Sequence, residues 1–303
     1  MKGIITAGFT FWDANGVLDA EATKAYCDFQ VKAGVDGLFI IGSTGEFATM
    51  DVATRKQAAE MYKKALDSRL PLIIHTGALL PEEAFELTEH AAALGADAVA
   101  AVPPFYYPYD RDALFAYFSQ LAVKAGDTPV YLYNFPAAAK NDLPPVLVKR
   151  LMDAHSNIVG VKDTSQDYTR YVDYTDILGK NATVFMGSDA MLLAALVMGG
   201  AGCVTATAAC FPEVMVDIKK EYEAGNLERA RELQLLASRL RLLFGKAPGL
   251  PIRKAGLVMR GFNSPLVHFP MRQLKGSEFE QFAIAVRALE KEFSYTLTAP
   301  INE

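Results

Sequence analysis

Short β-branched or aromatic runs return about every 30 residues along this chain, each followed by an amphipathic segment of helical length. Eight runs are readable: GIITAGF from Gly3, GLFIIGS from Gly37, PLIIHTG from Pro71, DAVAAVPP from Asp97, PVYLYNFP from Pro129, NIVGVKDT from Asn157, TVFMGSD from Thr183 and AGCVTATA from Ala201. Strands separated by helices must run parallel, and a parallel sheet has to be covered by those helices. Eight such units with no added Gly-rich nucleotide loop predict an α/β fold of the closed (β/α)₈ TIM-barrel type. A doubly wound open sheet is the other arrangement the pattern admits.

Helix punctuation supports the division. Asp19 stands where it can cap the first helix, and Gly34, Gly95 and Gly126 stand where helices should stop. After Phe211 the pattern turns purely helical, with Asn226 as a cap and Ser277 and Glu280 spaced as a capping box before the last helix. We therefore expect a barrel over residues 1–225 and a C-terminal helical extension over 226–303, packed on the barrel or on a neighbouring subunit rather than in the chemistry.

At 51% hydrophobic and 21% charged residues, the chain can bury one large core. The net charge of −5 and the scattered Lys and Arg leave no basic stripe for nucleic acid or an acidic membrane, so small molecules are the expected partners. Three cysteines (Cys27, Cys203, Cys210) without CxxC and four histidines without HExxH predict neither a disulfide framework nor a metal site. No signal-peptide pattern opens the sequence and the longest apolar stretch is broken by glycines, which predicts a cytoplasmic protein without a membrane span.

In a barrel the C-terminal strand ends face the active site, and here they are polar: Ser43, Thr44 and Glu46, Phe105 and Tyr106, Tyr133 and Asn134, Lys162 and Asp163, Ser188 and Asp189. Alternation in NIVGVKDT places Ile158, Gly160 and Lys162 on one face and Val159 and Val161 on the other. If the valines meet the helices, Lys162 points inward. An amine in such a place is desolvated toward its neutral form, which carbonyl attack requires. The competing reading is a lysine that snorkels to solvent or pairs with a carboxylate. Tyr131 and Tyr133 share a face by the same alternation, so the Tyr133 phenol is either a proton relay beside the amine or a core tyrosine bonded to backbone. The GSTGE loop carries glycines, hydroxyls and N–H groups able to hold a carboxylate, or it is an ordinary turn with Glu46 engaged locally.

Taken together, GSTGE from Gly42, YNFP from Tyr133 and VKDT from Val161, in this order and spacing, resemble the dihydrodipicolinate synthase/N-acetylneuraminate lyase family over nearly the whole chain. The resemblance implies a TIM barrel with a C-terminal helical extension, assembled as a homotetramer built from dimers, and a class I lyase that needs no cofactor. It implies Lys162 as the Schiff-base lysine and Tyr133 as the relay tyrosine. Ser43 and Thr44 correspond to the pair that binds the pyruvate carboxylate, with Thr44 also in the relay. Tyr106 corresponds to a tyrosine inserted into a neighbouring subunit's site, and Gly187 and Val204 to backbone positions lining the pocket.

Ala138 stands where the dihydrodipicolinate synthases usually have an arginine that grips the second substrate's carboxylate. GVDGLFIIGSTGEF, VYLYNFPA, VKDTS and MGSDAML are more similar to the sugar-acid aldolases of the family. The expected activity is reversible aldol cleavage of a 2-keto-3-deoxy sugar acid to pyruvate and an aldehyde, with Thr164, Ser188, Asp189 and Thr207 available to bind hydroxyls. Dihydrodipicolinate synthesis, dehydration of a keto-deoxy sugar acid, and a silent barrel that only binds a 2-oxo acid are the alternatives. Lys140 is a possible substitute for the missing arginine, and His75 is read as structural.

Overall fold

The computed structural model describes residues 1–246, 249–263 and 266–298. Among these, eight strands pair in chain order, all parallel: β1 (Gly3–Ala7), β2 (Gly37–Ile40), β3 (Leu72–His75), β4 (Ala98–Ala101), β5 (Val130–Asn134), β6 (Ile158–Asp163), β7 (Thr183–Met186) and β8 (Gly202–Thr205). β8 returns to β1 through the register Ile5 to Val204, so the sheet is a closed barrel and the open-sheet alternative is set aside.

The strands are short and buried on both sides, and their residues divide by parity into two cores. Inside the barrel lie Ile5, Ala7, Phe39, Ile73, Ala98, Ala100, Tyr131, Tyr133, Phe185 and Val204. Their neighbours Ile4, Leu38, Ile40, Leu72, Ile74, Val99, Leu132 and Val184 face outward, against the helices. The inner set mixes alanines with aromatic rings, so the small β4 side chains leave room for rings from β2, β5 and β7.

The covering helices are α1 (Ala20–Lys32), α2 (Val52–Leu66), α3 (Pro81–Ala93), α4 (Arg111–Ala125), the short α5 (Pro136–Ala139), α6 (Pro145–Ala154), α7 (Tyr168–Leu178), α8 (Leu192–Val197) and α9 (Pro212–Glu223). Asp19 caps α1 through Ala22 N at 2.9 Å, as expected, and Asp51 and Asp110 cap α2 and α4 at 2.8 Å each. Such caps are worth about 1 kcal/mol each. Gly34, Gly95 and Gly126 all take positive φ at the helix ends where they were expected.

Beyond the barrel come α10 (Leu227–Phe244), α11 (Leu250–Val258) and α12 (Gly276–Phe293). Parts of the expected extension, 247–248, 264–265 and 299–303, lie outside the described residues. Two expected caps differ. Asn226 occupies the first position before α10, but its side chain donates to Glu221 instead of capping. Before α12 the residues that engage are Lys275 and Glu278, not Ser277 and Glu280: Glu278 accepts from the Lys275 N–H at 2.9 Å and is gripped by Arg272 at 2.6 Å. That ion pair sets the first turn of the helix earlier than the Ser–Glu spacing suggests.

One strand departs from simple alternation. The β5–β6 register runs from Val130–Ile158 to Tyr131–Gly160, a slip of one residue at a bulge. As a result Ile158 packs outside and Val159 contacts the inner cluster, opposite to the expectation, while Val161 faces outward. Gly160 allows the slip, because a Cβ there would sit 1.9 Å from the Thr183 carbonyl oxygen. After the bulge Tyr133 pairs with Lys162 and Asn134 with Asp163.

Candidate active site

The Tyr133–Lys162 pairing sets two inward side chains abreast on neighbouring strands at the C-terminal mouth. Lys162 is 5% exposed, and its Nζ lies 3.8 Å from the centroid of the Tyr133 ring and 4.2 Å from that of Phe39. Phe39 meets Tyr133 edge-on at 5.7 Å, and Phe135 stacks with the phenol ring at 6.0 Å. Among the described residues Lys162 takes part in no ion pair. The amine is thus held by ring faces rather than by a carboxylate.

Asp163, next in sequence, turns the other way. It accepts from Asn134 Nδ2 at 2.9 Å and from Ser165 Oγ at 2.7 Å, and burial pushes its carboxyl above the usual range. Asn134 also accepts from Leu143 N at 3.1 Å. Both strand-end residues brace the β5 and β6 loops. His75 is structural as read: its Nδ1 donates to Ile41 O at 3.0 Å and its Nε2 accepts from Val102 N. Burial, reinforced by Arg55 and Lys162, holds this imidazole well below its ordinary value, so it is neutral.

Facing the amine, the GSTGE loop closes a niche of about 10 Å³ bounded by Ala7, Phe39, Tyr133, Lys162 and residues 42–45. The Ser43 and Thr44 N–H groups take no part in turn or cap bonds among the described residues. Thr44 is buried and Ser43 exposed. Ile41 and Glu46 flank the loop with φ of +56° and +64°. For a β-branched residue such as Ile41 the left-handed region costs about 1–2 kcal/mol, strain of the kind that collects at functional loops. The Glu46 carboxylate is not engaged locally: it pairs with Lys254 of α11 at 2.5 Å and accepts from His268 N at 2.7 Å.

A wider cavity of about 160 Å³ shares Ala7, Ser43, Thr44, Tyr133 and Lys162 with the niche and adds Phe135, Thr164, Gln166, Gly187, Ser188, Asp189, Val204, Ala206, Arg241 and Arg253. Most residues singled out in the sequence therefore converge. Gly187 is obligatory, since a Cβ would lie 2.0 Å from Thr164 Oγ1 and 2.6 Å from Asp163 O. Asp189 reaches the cavity but is already committed. Its carboxylate accepts from the Thr205 hydroxyl, from Ala206 N at 3.2 Å and from Thr207 Oγ1 at 2.8 Å. Thr207 is fully buried in that network and does not line the cavity, so it is not placed to bind a substrate hydroxyl as expected.

Three singled-out residues lie elsewhere. Tyr106 is 73% exposed, takes φ of +87°, meets Tyr107 edge-on at 5.0 Å, and does not line the cavity of its own chain. Ala138 and Lys140 are exposed, and neither lines the cavity. Of the lining residues not singled out in the sequence, two are charged. Arg241 and Arg253 belong to α10 and α11, so the extension does reach the site, contrary to expectation. The only available signal was weak: Arg241 is one of four arginines in α10 and Arg253 stands beside Lys254 in α11.

The family model described as the dihydrodipicolinate synthetase family matches residues 1–289. The chain belongs to this family. Among its relatives, the putative 2-dehydro-3-deoxy-D-gluconate aldolase YagE of Escherichia coli K12 is 39% identical over 232 residues, covering 75% of this chain and 76% of the relative. The N-acetylneuraminate lyase of Rhizobium meliloti is 32% identical over 286 residues, 94% of each chain. The crystal structure of YagE in complex with pyruvate superposes with a TM-score of 0.92 at 33% identity, covering 96% of this chain and 99% of that one. As a member of the family this chain is a class I lyase with a TIM-barrel fold and C-terminal helices. No helix among the described residues is long and apolar enough to cross a membrane.

Proposed function

We propose that this protein cleaves a 2-keto-3-deoxy sugar acid reversibly to pyruvate and an aldehyde through a Schiff base on Lys162. One observation carries the reading: an inward amine with no ion pair among the described residues, 3.8 Å from the ring of a tyrosine on the next strand. The relatives support it, one a putative 2-dehydro-3-deoxy-D-gluconate aldolase and the same protein solved with pyruvate.

The Lys162 amine adds to the C2 ketone and water leaves, giving a protonated imine that draws electrons from C3. The Tyr133 phenolic oxygen takes the proton of the C4 hydroxyl while its own proton passes along a relay of Thr44 and Tyr106 of a neighbouring subunit. The C3–C4 bond then breaks, its electron pair passes into the enamine, and the aldehyde departs. Protonation at C3 and addition of water release pyruvate and restore the amine. Through both halves the Ser43 and Thr44 N–H groups hold the acid's carboxylate, while Gly187 and Val204 shape the wall and Thr164 and Ser188 meet hydroxyls.

The exposed, positive-φ Tyr106 fits a homotetramer of dimers in which this side chain completes the site next door. A synthase of dihydrodipicolinate is disfavoured by the exposed Ala138. Product analysis from 2-keto-3-deoxygluconate tests the reading. Wild-type protein is expected to release pyruvate stoichiometrically. Lys162→Ala should release none, and Tyr133→Phe should lose roughly 10²–10⁴-fold in kcat. A 2-oxo product that keeps the full carbon chain would mean dehydration instead, and binding without any turnover would mean a silent barrel.

A further inference from the structure

We propose that the substrate's far end, the part released as aldehyde, carries a second anionic group, a carboxylate or a phosphate, held by Arg241 and Arg253. This rests on the Lys162 reading, which fixes where the keto acid's own carboxylate lies.

The cavity is lined by three basic side chains, Lys162, Arg241 and Arg253, and one carboxylate, Asp189. Lys162 and the GSTGE loop account for the pyruvate half. The Asp189 oxygens are taken by Thr205, Ala206 and Thr207, and no ion pair among the described residues involves either arginine. The Nε of each arginine is buried without a hydrogen-bond partner, as is Thr164 Oγ1 on the same wall. Buried donors of this kind are normally satisfied, and a guanidinium fork fits a carboxylate or phosphate better than an alcohol. A polyol tail ending in CH₂OH would leave two positive charges unanswered in the cavity.

The helices that carry the two arginines are tied to the barrel by neighbouring side chains. Gln234 Nε2 donates to Asp189 O at 2.9 Å and its Oε1 accepts from Leu193 N at 2.8 Å, tying α10 to the β7 loop. Arg241 follows two helical turns later on the same face of α10. Arg253 precedes Lys254, whose Nζ bonds Thr10 O at 2.6 Å and pairs with Glu46. Side chains mounted this way converge on the cavity as a binding pair rather than as mobile surface charge.

Three probes of equal carbon number decide the matter: 2-keto-3-deoxygluconate, its 6-phosphate, and the matching acid with a terminal carboxylate. With the full-length protein, pyruvate release should show kcat/KM at least roughly tenfold higher for one anionic tail than for the neutral one. Which anion wins distinguishes carboxylate from phosphate. In Arg241→Gln and Arg253→Gln that preference should fall by roughly 10- to 100-fold, mainly through KM, and Arg→Lys should recover part of it. Equal or better use of the neutral tail overturns the proposal, as does an equal loss on all three probes in the variants. If pyruvate labels Lys162 but no probe is cleaved, the tail assignment falls and the lysine chemistry stands. If pyruvate does not label Lys162, both fall.

Discussion

Glu46 in the loop after β2 and Lys254 on α11 form an ion pair of 2.5 Å with side chains 0% and 1% exposed. This contact joins the GSTGE loop to the C-terminal extension, so the niche facing Lys162 is braced from outside the barrel. Burial pulls the Lys254 ammonium down, and Glu46 opposes that shift. Removing one partner of such a pair costs about 3–5 kcal/mol, because the other charge is left buried. Urea unfolding of Lys254→Met and Glu46→Gln should show losses of that order. The double variant should lose clearly less than the sum, a coupling of about 1–3 kcal/mol. Additive losses would mean that the two side chains act independently.

His75 gives the stability a defined pH dependence. The unfolded imidazole takes up a proton near pH 6.5, about its ordinary value, whereas the native one does so only well below that. Between those values the unfolded state binds more protons, so stability falls as the pH drops, by up to about 1.4 kcal/mol per unit. Asp163 acts with opposite sign, because burial raises its native carboxyl. Denaturant unfolding of wild type and His75→Asn between about pH 7.5 and 5.5 isolates the histidine. The wild type should lose more stability across this window than the variant, and parallel curves would contradict a neutral native His75.

At Gly187 the wall of the cavity has no room for a methyl group, with Thr164 Oγ1 at 2.0 Å and Asp163 O at 2.6 Å from a Cβ. Gly187→Ala should cost about 1–3 kcal/mol by overpacking and raise KM for the 2-oxo acid. Adding Thr164→Ala should rescue little, since the backbone oxygen stays. Full rescue by the second substitution would show that the wall yields more readily than its geometry implies.

Much of the barrel was legible because eight buried strands and their helices leave a repeat in the sequence. Lys162 was correctly aimed inward, yet Val159 and Ile158 were not: a bulge depends on how closely the β7 backbone approaches Gly160, which no alternation pattern records. Asp189 was recognised as a strand-end carboxylate, but its capture by Thr205 and Thr207 comes from the side-by-side pairing of β7 and β8. Arg241 and Arg253 escaped notice for a similar reason. Their helices lie far along the chain from Lys162, and only the packing of α10 and α11, fixed by Gln234 and Lys254, brings them over the mouth.

Covalent trapping addresses the central claim without reference to any particular sugar acid. Full-length protein incubated with pyruvate and borohydride, then digested and analysed by mass spectrometry, should carry the reduced pyruvate adduct on Lys162. Tyr133→Phe should still form it, more slowly, and Lys162→Ala should form none. An unmodified Lys162, or an adduct on another lysine that survives Lys162→Ala, would contradict the account.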